Sequence, residues 1–366
     1  MNPYWLEDPV PERTNGRHEG RVDVAIVGAG ITGCSAALRL AEAGKRVRVH
    51  DARAVAEGAS GRNGGFALRG GAASYAVARD TYGADAAREL WQWTEDALDT
   101  MEELGGDALS RPGSFRLASD DEEREQIRAE YEALREDGFS AEWIDEFQEF
   151  HGAIHHLGDG SIQPARFVRR LAARAGVDIR EHDRVDDLAA LDAEQVVVAT
   201  DGYGRDLLPE LADAIWPTRG QVVVSEPLER VLYDRPHYAR HGFDYWQQLP
   251  DRRLLLGGFR DVSILDELTD VEETTPTIQG SLELFLGELT GGEARISHRW
   301  AGLFGLTQDM LPLVGPVPGR EDVWVAAGYS GHGNVMGFGC GRLVAEALLG
   351  DRHDLLDLFD PARMAA

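Results

Sequence analysis

The stretch "VDVAIVGAGITGCSAALRLAEAGKRVRVHDA" constrains this chain more than any other. Val22–Val27 reads as a strand. "GAGITG" then sets Gly28, Gly30 and Gly33 in G-x-G-x-x-G spacing, a helical pattern follows, and a second strand ends at Asp51. Gly28 allows a tight turn, Gly30 lets backbone approach a pyrophosphate, and Gly33 permits close helix–strand packing. The helix start offers free N–H groups and partial positive charge to phosphate. Asp51 stands where an acid holds ribose hydroxyls. The unit predicts dinucleotide binding, and the motif alone leaves FAD and NAD open.

A second glycine-rich segment, "GYSGHGNVMGFGCG" (Gly328–Gly341), runs into the helix-like "RLVAEALLG". Between the two lie helical patterns over Ala84–Leu104, over "SDDEEREQIRAEYEALREDG" with Ser119 as its N-cap, and over "VEETTPTIQGSLELFLGEL". "AEQVVVATDGYG" and "DVWVAAGYSG" read as strands that end in glycine turns. "GQVVVS", the region near Tyr245, and "RLLLGGF" read as sheet strands in the middle. Residues 1–20 read as an irregular arm. The αβ pattern at both ends predicts an α/β chain whose nucleotide domain is assembled from separated segments. After the second strand, "DARAVAEGASGRNGGFALRGG" is a long loop of small residues, able to lie against a flat ring.

Composition narrows the partners. The net charge is −27 and Lys45 is the sole lysine. Such a surface disfavours nucleic acid and anionic membranes, and fits either the acidic coat of a high-salt host or steering of a cationic substrate. No apolar run reaches the roughly 18 residues of a membrane helix. No basic segment followed by an apolar one opens the chain, which predicts no secretory signal. Cys34 and Cys340 cannot make a disulfide framework, so a cytoplasmic location is expected. Cys34 reads as a small core residue. His151, His155 and His156 in "HGAIHH" would share a face only on a helix. No zinc spacing is present, and no metal is expected.

Several ordered segments resemble the FAD-dependent oxidoreductases of the D-amino-acid oxidase superfamily, and within it the gamma-glutamylputrescine oxidase-like branch. They are "YWLED", "GASGRNGG" (Gly58–Gly65), "VVVATDGYGRDLLPEL", "IWPTRGQVVVSEPL", "YWQQLPDRRLLLGGFRD", "HRWAGLFGLTQDMLPLVGPVP" and "GYSGHG". The resemblance spans nearly the whole chain. It implies a discontinuous Rossmann-type FAD-binding domain (20–80, 150–212 and 300–366) and an α+β substrate-binding domain with a mostly antiparallel sheet (81–149 and 213–299).

The resemblance also implies cofactor contacts from Gly28, Ala29, Gly30, Ile31, Thr32 and Gly33 at the first turn, and from Asp51, Ala52 and Arg53 after the second strand. Ser60, Gly61, Arg62, Asn63, Gly64 and Gly65 would face the flavin. Val185, Ala199, Thr200 and Tyr203 would line the adenosine half. Gly302 and Gly331, His332, Gly333, Asn334 and Val335 would hold the pyrimidine end, where N–H groups at a helix start meet developing negative charge. Gly337, Gly339 and Gly341 read as a helix-packing face.

This sequence departs from its relatives where they grip a substrate carboxylate. Glycine and D-amino-acid oxidases carry an arginine where "AGLFG" has Phe304, and sarcosine oxidases carry a lysine where Asn334 or Val335 stands. Arg69 is either a substitute or a surface residue. The lysine linked with oxygen reactivity is matched near Leu255, and the cysteine of covalent flavin attachment near Gly302, which implies non-covalent FAD. Trp246, Trp300, Phe304, Tyr245 and Tyr329 would form an apolar pocket, with His332 bonded to flavin or substrate. The expected reaction is oxidation of a primary or secondary amine to an imine, by hydride transfer to the cofactor, with O2 or another acceptor. A glycine- or sarcosine-type oxidase and a non-catalytic flavoprotein subunit are the alternatives. The amine and the oligomeric state are left open.

Overall fold

The computed structural model describes residues 3–13 and 15–364. Met1, Asn2 and Thr14 of the expected N-terminal arm lie outside them. The rest of that arm is docked: a short 3-10 helix, Tyr4–Glu7, buries Trp5, whose indole N–H donates to the Asn63 carbonyl at 2.7 Å.

The protein has a mixed α/β fold. Strand β1 (Val22–Val27) passes into helix α1 (Ile31–Glu42) and strand β2 (Val47–His50). These begin a six-stranded sheet in the order Leu313–Val317, Arg320–Ala327, Ala193–Val198, β1, β2, Asp178–Arg180. All its neighbours are parallel except the edge hairpin of Leu313–Val317 with Arg320–Ala327. β1 and its partner Ala193–Val198 are valine-rich because helices or loops bury both faces.

An eight-stranded sheet runs Ile296–Leu306, Trp216–Ser225, Leu254–Gly258, Asp244–Gln248, His237–Ala239, Ser114–Leu117, Ala153–His156, Glu142–Ile144. It is antiparallel apart from the parallel pairing of His237–Ala239 with Ser114–Leu117. A third sheet of three short strands joins Phe66–Ala67, Gly160–Ile162 and Leu109–Ser110.

Helices form over Ala84–Gly105 and Pro276–Thr290. The charged helix is Asp121–Glu136, and its cap is Asp120 rather than Ser119: the Asp120 carboxylate accepts from Glu123 N–H at 2.8 Å. The carboxylate, unlike the shorter serine hydroxyl, carries full charge to the helix start. "HGAIHH" contributes a strand rather than a helix. Its alternation sends His155 to Glu142 on one face and His156 to the other, so the histidines do not converge.

The two glycine-rich helices interlock. The C-terminal one, Val335–Leu349, packs along α1. A Cβ at Gly341 would stand 2.3 Å from the Thr32 carbonyl oxygen, and one at Gly337 would stand 3.0 Å from the Ile31 side chain. Gly339 makes the same allowance for Trp93, at 2.6 Å. Ser35 Oγ donates to the Phe338 carbonyl at 2.7 Å.

Candidate functional site

A cavity of about 890 Å³ lies between the two large sheets, within the roughly 300–1,000 Å³ of small-molecule and cofactor clefts. Both glycine helices begin on it. Gly28, Gly30, Ile31 and Thr32 line it from α1, and Gly331, His332, Gly333, Asn334 and Val335 line it from the C-terminal turn. Neither helix is capped by the side chain of its own N-cap residue, Gly30 or Asn334. Ile31 N–H is met by Ser60 Oγ at 2.9 Å. Two helix starts with spare donors thus face one space.

The turn geometry explains the glycines. Gly28 has φ +110°, and a Cβ there would meet the Ala199 carbonyl oxygen at 2.5 Å. Gly33 does not reach the cavity, because a Cβ would lie 1.8 Å from the Gly28 carbonyl oxygen: its place is the helix–strand contact. Gly331 has φ +93° and open space around it.

At the far side of α1, Asp51 accepts from Ala29 N–H at 2.6 Å and Arg53 N–H at 2.7 Å. Burial raises its pKa, against the pull of those two N–H groups. Ala29 therefore serves through Asp51 and does not itself line the cavity, while Ala52, Arg53, Val185, Ala199, Thr200 and Tyr203 do. Thr200 Oγ1 is buried without a partner.

The loop Gly58–Gly65 brings Ser60, Arg62, Asn63 and Gly64 to the cavity. Gly61 and Gly65 are packing positions instead. A Cβ at Gly61 would meet Ala56 O at 2.2 Å, and one at Gly65 would meet Trp5 at 2.7 Å. Asn63 and Asn334 exchange side-chain amides, at 3.2 Å and 3.1 Å, and Asn334 also donates to Phe66 O at 2.7 Å. Gly302 lies under the same loop, where a Cβ would meet that of Arg62 at 2.7 Å.

The eight-stranded sheet supplies the opposite wall. Cross-strand pairing aligns Trp300, Val222, Gly257, Tyr245, Tyr238, Arg116 and Ile154 in one row on one face. Tyr245 and Tyr238 line the cavity. Gly257 leaves room for Tyr245, whose hydroxyl would be 2.3 Å from a Cβ there.

Trp246, expected in the pocket, points the other way. It is fully buried beneath helix Pro276–Thr290, stacked on His237 at 5.3 Å and edge-on to Phe285. Adjacent strand residues face opposite sides, so Tyr245 and Trp246 cannot both line one cavity. Trp300 is on the correct face but lies under the loop, donating its indole N–H to Arg62 O at 2.8 Å. Tyr329 lines the cavity with a committed hydroxyl, which bonds Thr32 Oγ1 at 2.9 Å and Ala326 O at 2.8 Å. Phe304 and His332 line it as expected.

Arg69 is a buried residue, 4% exposed, ion-paired with Asp159 and Glu95 and lying over Trp91. Seven arginines line the cavity. Among the described residues six have a carboxylate within 4.0 Å; Arg260 has none, and rests over the rings of Phe243 (5.2 Å) and Phe304 (5.9 Å). The sequence reading missed Arg260, Arg116, Glu130, His156 and Tyr238. The Gly-Gly-Phe-Arg run at Gly257–Arg260 was the available signal for the first.

Comparison with known proteins decides the class. A family described as FAD dependent oxidoreductase matches residues 23–347. The chain belongs to that family. It is 30% identical to gamma-glutamylputrescine oxidoreductase of Escherichia coli (strain K12), over 90% of this chain and 84% of that one. It is 26% identical to glycine oxidase of Geobacillus kaustophilus, over 89% and 92%. Its fold is similar to the crystal structure of that glycine oxidase (TM-score 0.75, 22% identity, 93% of this chain and 98% of that one) and to L-proline dehydrogenase from P. horikoshii (TM-score 0.78, 20% identity, 95% and 98%).

This FAD-dependent oxidoreductase has a cavity that fits its cofactor on structural grounds. Glycines strip side chains from both helix starts, neither start is capped by its own N-cap side chain, and Thr200 Oγ1 and His332 Nδ1 are buried without partners among the described residues. Both cysteines are buried away from the cavity, and burial pushes the Cys34 thiol up to about 12. No helix among the described residues is long and apolar enough to cross a membrane.

Proposed function

We propose that this flavoenzyme oxidises a primary or secondary amine to an imine, which water then hydrolyses to carbonyl compound and released amine or ammonia. The observation that carries the reading is the aromatic wall beside the C-terminal turn, where Tyr245, Phe304 and Tyr329 line the cavity next to His332. Burial lowers His332 to about 4, lowers His156, and raises Tyr238, Tyr245 and Tyr329. The same desolvation acts on an alkylammonium and favours the free amine, the form whose α-hydrogen leaves most readily. The names of the relatives, a gamma-glutamylputrescine oxidoreductase and a glycine oxidase, agree with an amine-type substrate.

FAD, when bound, supplies the acceptor for the hydride from the carbon beside nitrogen. This chain's residues orient and insulate. The N–H groups around Asn334 and Val335 hold negative charge at the helix start. Tyr245 and Phe304 exclude water and orient the substrate carbon, and His332 offers a neutral imidazole to it. Trp300, under Arg62, and the Asn63–Asn334 pair position the two loops. The N–H proton leaves to solvent.

In this reading the six-stranded sheet is a Rossmann-type half drawn from 20–80, 150–212 and 300–366. Residues 81–149 and 213–299 form a mostly antiparallel substrate half, with Ile296–Leu306 crossing between them. The FAD is held non-covalently in a cytoplasmic enzyme, and O2 or another carrier reoxidises it.

Arg260 favours a second reading, oxidation of a small amino acid. Its unpaired guanidinium over Phe304 can receive a carboxylate that Phe304 itself cannot. Anaerobic mixing of the holoenzyme with diamines, alkylamines, glycine and sarcosine separates the two. Bleaching of the flavin band by alkylamines or diamines supports the first reading, and bleaching by glycine or sarcosine alone supports the second. A protein that cannot be reconstituted with FAD contradicts both. Admitting oxygen afterwards identifies the acceptor.

A further inference from the structure

Glu272 does not line the cavity, but its three side-chain partners do. Its carboxylate accepts from Arg53 Nη1 at 2.8 Å and from the Tyr203 hydroxyl. It also lies 3.5 Å from Nε of Arg62, whose guanidinium is held in addition by the Glu57 and Ala301 carbonyls. These partners come from three separate places: the turn after β2, the loop Gly58–Gly65, and the 3-10 turn Asp201–Tyr203. The Arg53 guanidinium rests over the Tyr203 ring, 5.1 Å from its centre, which closes a triangle with Glu272.

Glu272 itself belongs to the opposite wall. The segment around it is fastened to strand Trp216–Ser225 on both sides. Before it, Glu267, 1% exposed, accepts from Arg219 Nε at 2.9 Å and Nη2 at 2.8 Å, and Arg219 Nη1 donates to the Val271 carbonyl at 3.2 Å. After it, Thr275 N–H donates to Gln221 Oε1 at 2.9 Å. The backbone under Glu272 is therefore fixed before any ligand enters. Asp270, Val271 and Glu273 are exposed, while the Glu272 side chain turns inward and is 15% exposed.

An ion pair on open surface contributes little. This one differs in its placement. Neither Arg53 nor Arg62 has another carboxylate within 4.0 Å among the described residues, so one acid serves both. Arginine has several rotatable bonds, and freezing such a chain when a ligand arrives costs affinity. A partner that has already fixed it removes that cost. The cofactor of this family, FAD, carries an anionic diphosphate. Guanidinium groups on the cavity wall match that charge. A carboxylate kept behind them orients them without itself joining the wall.

We infer that Glu272 is a positioning residue for the cofactor: anchored on the eight-stranded sheet, it holds Arg53 and Tyr203, and steadies Arg62, in the orientation that retains FAD. The wall opposite the first glycine helix thus contributes to cofactor binding through one carboxylate that lies outside the cavity.

The test follows FAD and not turnover. Holoenzyme is diluted until it releases FAD, and the rise in flavin fluorescence gives the rate of release and the Kd. Glu272→Gln keeps the shape and removes the charge. It releases FAD about 10- to 100-fold faster, with a matching rise in Kd. In an Arg53→Met background the same change costs at least about threefold less, because a group it acts through is gone. Circular dichroism establishes that each holoprotein is folded. Tyr203→Phe deletes only the hydroxyl that meets Glu272; it releases FAD faster than the wild type and decides the matter if the Gln variant is not recovered. Release within about twofold of the wild type, in Glu272→Gln or in that event in Tyr203→Phe, overturns the inference. So does an equal cost of Glu272→Gln with Arg53 present or replaced, since Glu272 would then act on the fold alone. No amine or amino acid enters the measurement. Its failure leaves the proposed reaction standing, and failure of the substrate panel leaves the role of Glu272 standing.

Discussion

Asn63 and Asn334, 271 residues apart, exchange their side-chain amides and so tie the first glycine-rich loop to the last. Each bond contributes on the order of 1 kcal/mol. A double-mutant cycle of Asn63→Ala and Asn334→Ala, read by urea unfolding of the holoprotein, gives a coupling of about 1–2 kcal/mol. FAD dissociates about tenfold more readily from either single variant, measured by ultrafiltration. Zero coupling would show that the loops are held independently.

The glycines divide into those that pack and those that line. Gly33→Ala drives a methyl to 1.8 Å from the Gly28 carbonyl oxygen and gives insoluble or unfolded protein. Gly331→Ala meets open space and carries only the left-handed backbone cost, about 1–2 kcal/mol. It is recovered folded, with weakened flavin binding. Circular dichroism and the flavin-to-protein absorbance ratio distinguish the two outcomes.

Asp201 is a half-buried knot. Its carboxylate accepts from Gly305 N–H at 3.0 Å and Gly328 N–H at 2.8 Å, joining the strand Ile296–Leu306 to the C-terminal turn. Asp201→Asn turns one acceptor into a donor facing an N–H. Chemical denaturation shows a loss of about 2–3 kcal/mol, and limited proteolysis cuts near Gly328 sooner than in the wild type.

Acid lability follows from His237, which burial between Trp246 and its neighbours lowers from 6.5 to about 4. Between those values the unfolded chain binds a proton that the folded chain refuses, so stability falls as pH drops through the window and is full above 6.5. The gap is worth roughly 3 kcal/mol at most. His237→Phe makes the dependence of Tm on pH between 6.5 and 4 shallower, with His156 and His332 carrying the remainder. An unchanged slope would show that His237 is protonated in the fold.

Arg260→Leu keeps apolar contact with Phe243 and Phe304 while removing the unpaired charge. If glycine or sarcosine is the substrate, KM rises at least tenfold. If an alkylamine is, KM is nearly unchanged. Steady-state kinetics with each compound decides.

The reach of the sequence varied with how local the physics was. The β1–α1–β2 unit was legible because its glycines, strand and acid obey rules that operate over thirty residues. Face assignment was not: Tyr245 and Trp246 are neighbours in one strand, and only the position of helix Pro276–Thr290 decides which is buried. Arg116 and His156 were missed because "SFRL" carries no motif and "HGAIHH" was weighed only as a helical metal face. They meet only after pairing brings them onto one face. Asp120 displaced Ser119 as a cap by a single residue, a difference that competing side chains settle in three dimensions.

The interlock of Gly337 and Gly341 against α1 has a bearing on biogenesis. A ribosome making this chain emits the first glycine helix some three hundred residues before its packing partner. Until then the groove of α1 is bare and the cleft lacks a wall. Coenzyme capture therefore waits for the second glycine helix, and a chain stalled shortly before Gly337 emerges without its yellow colour.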